Sequence, residues 1–158
     1  MTPSIAEAPL RSLVRRAAVL ADRAAAAGGL PFSALVVDAS GTVLGQGVNE
    51  ESATRDPTAH AEVLAVRRAC RTAGTTAPGG MTLIASGEPC AMCYVVARQA
   101  GIGRIVFAVD RHGAARAGFD YTDSYGLLAV DPRNWPVEVS QVGADLVTPV
   151  FERWRRSR

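Results

Sequence analysis

Two short runs, Asp56-Pro57-Thr58-Ala59-His60-Ala61-Glu62 and Glu88-Pro89-Cys90-Ala91-Met92-Cys93, constrain this chain more than any other feature. They supply one imidazole, two thiols and a carboxylate two residues from the imidazole. Such groups can build a zinc site with three protein ligands, one open position and a proton carrier beside it. For that chemistry to operate, the fold must bring the two runs together.

The order of elements predicts how they meet. Residues 9–27 carry Leu10, Leu13, Val14, Ala17, Leu20, Ala21 and Ala24 at helical spacing, and Gly28-Gly29 stops the helix. Phe32 to Val37 and Thr42 to Val48 read as a hairpin around Asp38-Ala39-Ser40-Gly41. A polar loop from Asn49 to Arg55 leads to a helix over 57–73, with Asp56 as N-cap and Pro57 at its first position. Met81 to Ala85 is a buried strand, followed by a helix from Pro89 to Ala100 that Gly101 ends. Arg104 to Val109 is too apolar to alternate, as expected of a strand covered on both faces. Residues 110–130 resist assignment. Val137 to Val142 reads as a last strand and Asp145 to Arg156 as a terminal helix, despite Pro149. This pattern predicts an α/β fold, one domain over 1–158, with helices on both faces of a single sheet. Residues 1–8 are expected to be flexible. Both reactive runs follow strands as helix N-termini, so they can converge at one sheet edge.

The totals exclude several classes. At 158 residues, 48% hydrophobic and 20% charged, the chain suits one soluble globular core. No apolar run approaches membrane-spanning length, and Met1 to Glu7 lacks the features of a secretion signal. Three cysteines, two of them spaced Cys-x-x-Cys, suit metal-bound thiolates in a reducing cytoplasm better than a disulfide framework. A formal charge of +2 does not call for a polyanionic partner. Arg153, Arg155, Arg156 and Arg158 read as a solvated helix end whose cations suit the dipole.

The residue types suit hydrolytic deamination. Cys90 and Cys93, three apart at a helix start, project to one side, where the helix dipole favours thiolates. With His60 they balance the charge of Zn²⁺ and leave room for an activated water. Glu62 diverges from His60 by two helical positions, so it is free to carry protons rather than bind metal. Taken singly, His60 could be structural, and Cys90 with Cys93 could be a redox pair or half a structural zinc site. A structural site would want a fourth ligand. Cys70 lies ten residues along the helix from His60, roughly 15 Å away, and reads as a small apolar residue. His112 reads as a surface or rim residue.

On these residues the chain resembles the cytidine-deaminase-like superfamily, in the branch of guanine, tRNA adenosine and cytosine deaminases. Pro31-Phe32-Ser33-Ala34 and Ile102-Gly103-Arg104-Ile105-Val106-Phe107 extend the likeness over nearly the whole chain. Ala114-Ala115-Arg116-Ala117-Gly118-Phe119-Asp120 resembles the corresponding run of bacterial guanine deaminases. A tRNA adenosine deaminase would instead show Lys-Thr-Gly-Ala-Ala-Gly-Ser. The tail Phe151-Glu152-Arg153-Trp154-Arg155 is similar to the guanine-deaminase tail.

The resemblance implies a three-layer α/β/α fold with a mixed five-stranded sheet, a Zn²⁺ cofactor and a homodimer with sites near the interface. It implies hydrolysis of a free purine, guanine to xanthine plus ammonia, with Glu62 as proton shuttle and His60, Cys90 and Cys93 on the metal. The expected substrate-binding set is Asn49, Phe32, Ala61, Ser86, Glu88, Asp120, Tyr121, Asp123 and Trp154. Asn49 would bond the purine, and Phe32 would line the base. Residues 145–158 would lie near the pocket, with Trp154 closing it. The plainer roles are turn chemistry for Asn49, core for Phe32 and a packing anchor for Trp154. Where the family follows Gly-Phe with two aspartates, this chain has Phe119-Asp120-Tyr121-Thr122-Asp123. Either Tyr121 replaces the second acid or Asp123 takes its place. Ser86-Gly87 also departs from the family's usual serine-cysteine. Alternatives are a deaminase of guanosine, cytidine, cytosine or a modified purine, or a tRNA adenosine deaminase.

Overall fold

The computed structural model describes residues 5–158. Its helices are α1 (Glu7–Ala26), α2 (Glu51–Thr54), α3 (Ala61–Ala73), α4 (Ala91–Gln99), α5 (Arg111–Arg116) and α6 (Ala144–Arg156). Its strands are β1 (Ser33–Val37), β2 (Val43–Val48), β3 (Thr82–Gly87), β4 (Arg104–Val109) and β5 (Glu138–Gln141). The strands form one sheet in the order β2-β1-β3-β4-β5. β1 pairs antiparallel with β2 and β3, whereas β4 runs parallel to β3 and β5 parallel to β4.

Strand alternation divides the core in two. Ala34, Val36, Leu83, Ala85, Ile105 and Phe107 face α3 and α4. Leu35, Val37, Ile84, Val106 and Ala108 face the layer of α1 and α6. Successive side chains point to opposite faces, and both faces are covered, so the central strands are apolar throughout. Burying each of Leu35, Leu83 and Ile84 contributes about 1.5–3 kcal/mol. This is the expected three-layer α/β/α arrangement with a mixed five-stranded sheet.

Gly47 sets the height of α3 above the sheet. A Cβ there would lie 2.6 Å from the Ala61 carbonyl oxygen, a distance real Cβ atoms do not reach. Glycine therefore lets the helix that starts beside His60 sit directly on β2.

Several expectations need correction. The flexible segment was expected to reach residue 8, but Ile5 is buried and α1 begins at Glu7; residues 1–4 lie outside those described. Asp56 does not cap a helix. Its carboxylate accepts from the Thr58 N–H (2.8 Å) and hydroxyl (2.7 Å), closing a local turn, and α3 starts only at Ala61 with His60 as its N-cap. The loop before it contains α2, which Arg55 ends in the left-handed region (φ 53°), a conformation costing a non-glycine residue about 1–2 kcal/mol. Within residues 110–130, Asp110 caps α5 through the Gly113 N–H (2.7 Å), and Thr122–Leu127 forms a 3₁₀ turn. Pro149 sits inside α6 on its exposed side, so the carbonyl it leaves unpaired can meet water. The exposed pairs Arg11–Asp145 (2.9 Å) and Arg153–Asp22 (2.7 Å) join α6 to α1, where solvent screening leaves them little weight.

Candidate metal centre and pocket

Both reactive runs end as helix N-caps. His60 caps α3 in extended conformation (φ −68°, ψ 152°), and Cys90 caps α4 (φ −69°, ψ 173°). Neither side chain makes a capping hydrogen bond, and the two turn toward each other. Cys93 follows one turn into α4, on the same side as Cys90. The positive ends of two helices thus face one point, which stabilises thiolates there.

The three donor atoms form a small triangle. His60 Nδ1 lies 3.6 Å from Cys90 Sγ and 3.4 Å from Cys93 Sγ, and the two sulfurs are 3.7 Å apart. Tetrahedral zinc, with bonds of about 2.3 Å to sulfur and 2.0–2.1 Å to nitrogen, sets S···S near 3.8 Å and S···N near 3.6 Å. The residues present therefore fit the ion. Among the described residues no other such group of histidine, cysteine and acid side chains converges. Cys70 is half-buried, its sulfur 3.6 Å from the Thr76 carbonyl oxygen, and His112 is exposed.

Of the three donors, Cys90 alone is favoured in its deprotonated, metal-binding form; Cys93 and His60 would each give up a proton on taking a metal. Hydrogen bonds from Cys93 and His60 hold the Cys90 thiol down at about 4, against the opposing effect of burial. The Cys93 thiol, which shares that hydrogen bond, is pushed well above its ordinary range by it and by burial. His60 is raised to about 9 by its bond to Cys90. Burial raises Glu62, only 6% exposed, to about 7, and its carboxylate lies 3.5 Å from Cys93 Sγ. A carboxyl group poised near neutrality serves equally as acid and base.

A pocket of about 270 Å³ opens beside this triangle. Leu30, Phe32 and Phe119 give it apolar walls; Asn49, Glu51 and Tyr121 add polar groups; and Ala61 and Glu62 form its metal side. The Phe32 ring is clasped by Phe119 (centroids 4.9 Å apart) and Phe151 (5.1 Å). Its place explains Ser86-Gly87. The Ser86 hydroxyl accepts from the Ser33 N–H (2.9 Å) and bonds the Pro31 carbonyl (3.3 Å), while a Cβ on Gly87 would lie 2.8 Å from the Phe32 ring.

Residues 8–109 match the cytidine and deoxycytidylate deaminase zinc-binding region. The chain belongs to this family. The deaminase is 33% identical over 145 residues to guanine deaminase of Bacillus subtilis, covering 91% of this chain and 92% of that one. It is 35% identical over 117 residues to a tRNA-specific adenosine deaminase of Haemophilus influenzae, covering 73% and 68%. The solved structure of a guanine deaminase from Nitrosomonas europaea matches with a TM-score of 0.82 at 25% identity, covering 98% of this chain and 88% of that one. A structure in complex with 2,6-diaminopurine shares the fold, with a TM-score of 0.81 at 24% identity over 97% and 84%. The protein is a zinc-dependent nucleobase deaminase, an aminohydrolase whose His60, Cys90 and Cys93 match the family's metal-binding set.

Not every residue expected at the substrate lines the deaminase pocket. Ser86 is fully buried, its hydroxyl committed to β1 and the chain before it. Asp123 is exposed and outside the cavity. Trp154 stands behind Phe119 (centroids 4.4 Å apart) and donates to the Gly29 carbonyl (3.2 Å), one layer back from the pocket. Glu88 contributes to the wall, but its carboxylate is bound by Arg111 and Arg133 at 2.7–2.9 Å and is 1% exposed. Burial alone would raise that carboxyl; the arginine hydrogen bonds outweigh it and hold it below its ordinary value. Tyr121 does line the pocket, with its hydroxyl donating to the Glu88 carbonyl (2.6 Å). Asp120 lines it too, its carboxylate accepting from the Thr122 N–H and hydroxyl.

Sequence reasoning missed Glu51, Arg111, Arg133 and the wall residues Leu30, Gly118 and Phe119. Glu51 opens the short helix α2, in a stretch that carries no motif. The two arginines lie beyond the reactive runs, and in an arginine-rich chain neither stands out.

Proposed function

We propose that this deaminase hydrolyses the exocyclic amine of free guanine, giving xanthine and ammonia. The observation that carries the reading is a compact slot walled by Leu30, Phe32 and Phe119, with the Asn49 carboxamide also lining it and the metal donors His60 and Cys90 at its edge. Its volume of about 270 Å³ lies just below the span of about 300–1,000 Å³ common for ligand pockets, and suits a flat base better than a nucleotide. Kinship to the Bacillus guanine deaminase over nearly the whole chain supports the same substrate.

His60, Cys90 and Cys93 would hold zinc, whose Lewis acidity would let water act as a nucleophile at neutral pH. Glu62 accepts one proton from the attacking water and passes it to a ring nitrogen as the C–O bond forms; it then takes the second proton from that oxygen and delivers it to the amine, which leaves as ammonia as the C–N bond breaks and the carbonyl forms. Asn49 offers both a donor and an acceptor to the base edge, so an analogue lacking the matching groups is penalised. Phe32 and Phe119 pack on the ring, while Ala61, Tyr121 and Asp120 complete the walls. We read residues 1–158 as one domain acting as a homodimer in the cytoplasm, where its ligand thiolates stay reduced.

Ammonia release from guanine, and its absence from tRNA, tests the substrate. The Haemophilus relative favours the competing reading. Release only from RNA, with affinity falling steeply as salt rises, would refute the small-molecule assignment. Glu62→Gln is expected to lower kcat at least about 100-fold while metal analysis still finds zinc. Cys90→Ala is expected to lose the metal.

A further inference from the structure

We propose that Glu51 is a positioning residue whose carboxylate holds the metal-binding imidazole with one oxygen and the base-facing carboxamide of Asn49 with the other. His60 Nδ1 faces both thiols, so in the ligand tautomer the ring proton sits on Nε2. That nitrogen faces Glu51 Oε1 at 3.5 Å. The second oxygen, Oε2, accepts from Asn49 Nδ2, and the Glu51 N–H points back at Asn49 Oδ1 (3.3 Å). The Asn49 amide is thereby held in one orientation, its remaining hydrogen-bonding capacity left for the pocket it lines.

The local fold makes this bridge possible. Asn49 follows β2 directly, Glu51 opens α2, and the left-handed Arg55 turns the chain so that His60 comes back against it. The Glu50 N–H donates to the Ala59 carbonyl (3.0 Å), tying the two ends of this loop beside the bridge. A carboxylate behind a ligand histidine fixes ring orientation and raises its basicity. Here the same group also orients the substrate-reading amide, so metal binding and base binding share one anchor. The inference rests on the zinc site and not on guanine being the substrate.

The test is zinc competition against a chromophoric chelator, using the purified chain with Glu51→Ala and Glu51→Gln. Glu51→Ala is expected to weaken zinc about 10- to 100-fold. Glu51→Gln should fall between it and the wild type, since the Gln carbonyl still accepts from Nε2. The visible spectrum of the cobalt-substituted protein should shift in Glu51→Ala, because the imidazole is no longer fixed. With any base found to be turned over, KM should rise in Glu51→Ala, and adding Asn49→Ala should raise it little further. Wild-type zinc affinity in both variants overturns the proposal whatever their activity. So does a zinc-free melting temperature lowered enough to account for the lost affinity. If the wild type proves inactive on guanine, the substrate assignment fails and the zinc competition still decides the role of Glu51.

Discussion

Replacing Glu88 by Gln should be among the most damaging single-atom changes in this protein. The carboxylate is 1% exposed and receives the Arg111 N–H (2.8 Å), Arg111 Nε and Nη2, Arg133 Nε and Nη2, and the Tyr94 hydroxyl (3.3 Å). A Gln offers one acceptor oxygen and turns an NH₂ donor toward guanidinium donors. Arg111, 7% exposed and stacked 3.5 Å above the Tyr125 ring, would keep only Asp131 (2.7 Å) as a counter-charge. Breaking a buried pair from one side costs about 3–5 kcal/mol. At about 2–4 °C per kcal/mol for a chain of this length, the melting temperature should fall by roughly 10 °C. The pH dependence has a definite sign. Because the folded carboxyl lies below its ordinary value, its stabilisation is present above about pH 4.5, where the unfolded group is ionised, and is lost as pH falls through the folded value. The gap between wild type and Glu88→Gln should be constant above about pH 5 and narrow in acid. Thermal unfolding across pH 3–8 measures both. A variant melting within about 2 °C of wild type at neutral pH would refute the reasoning, whose magnitude comes from buried-pair energetics.

Two further substitutions test the fold's support of the site. Gly47→Ala pushes a methyl against the Ala61 carbonyl and should cost about 1–3 kcal/mol in a denaturant titration, with weaker zinc retention because His60 rides on the displaced helix start. Phe119→Ala removes the ring between Phe32 and Trp154 and should raise KM about tenfold, the equivalent of about 1.4 kcal/mol of ring packing, with kcat less affected in steady-state assays.

The parts of this fold legible in the sequence are those specified locally. β4 was readable at Arg104–Val109 because burial on both faces leaves an unbroken apolar run, and α1 because its apolar stripe recurs at helical spacing. The metal triangle was readable because His60 and Glu62, taken together with Cys90 and Cys93, narrow what either run alone leaves open. Asp56-Pro57 misled because the same carboxylate that can cap a helix closes a tight turn equally well. Residues 110–130 were opaque for a different reason. Their conformation depends on distant partners: Arg111 on the Glu88 carboxylate, Tyr121 on the Glu88 carbonyl, and Tyr125 on the Pro89 carbonyl. Glu51 was invisible because its partners, Asn49 and His60, meet it only once β2, α2 and α3 have packed.

Trp154, four residues from the C-terminus, presses through Phe119 onto Phe32, and Phe151 supports the same ring from the adjoining side. The last helix is therefore mechanically continuous with the slot that receives the base. A fusion partner, a nick or a trimmed tail at that end would register as poorer substrate capture before it registered as loss of metal.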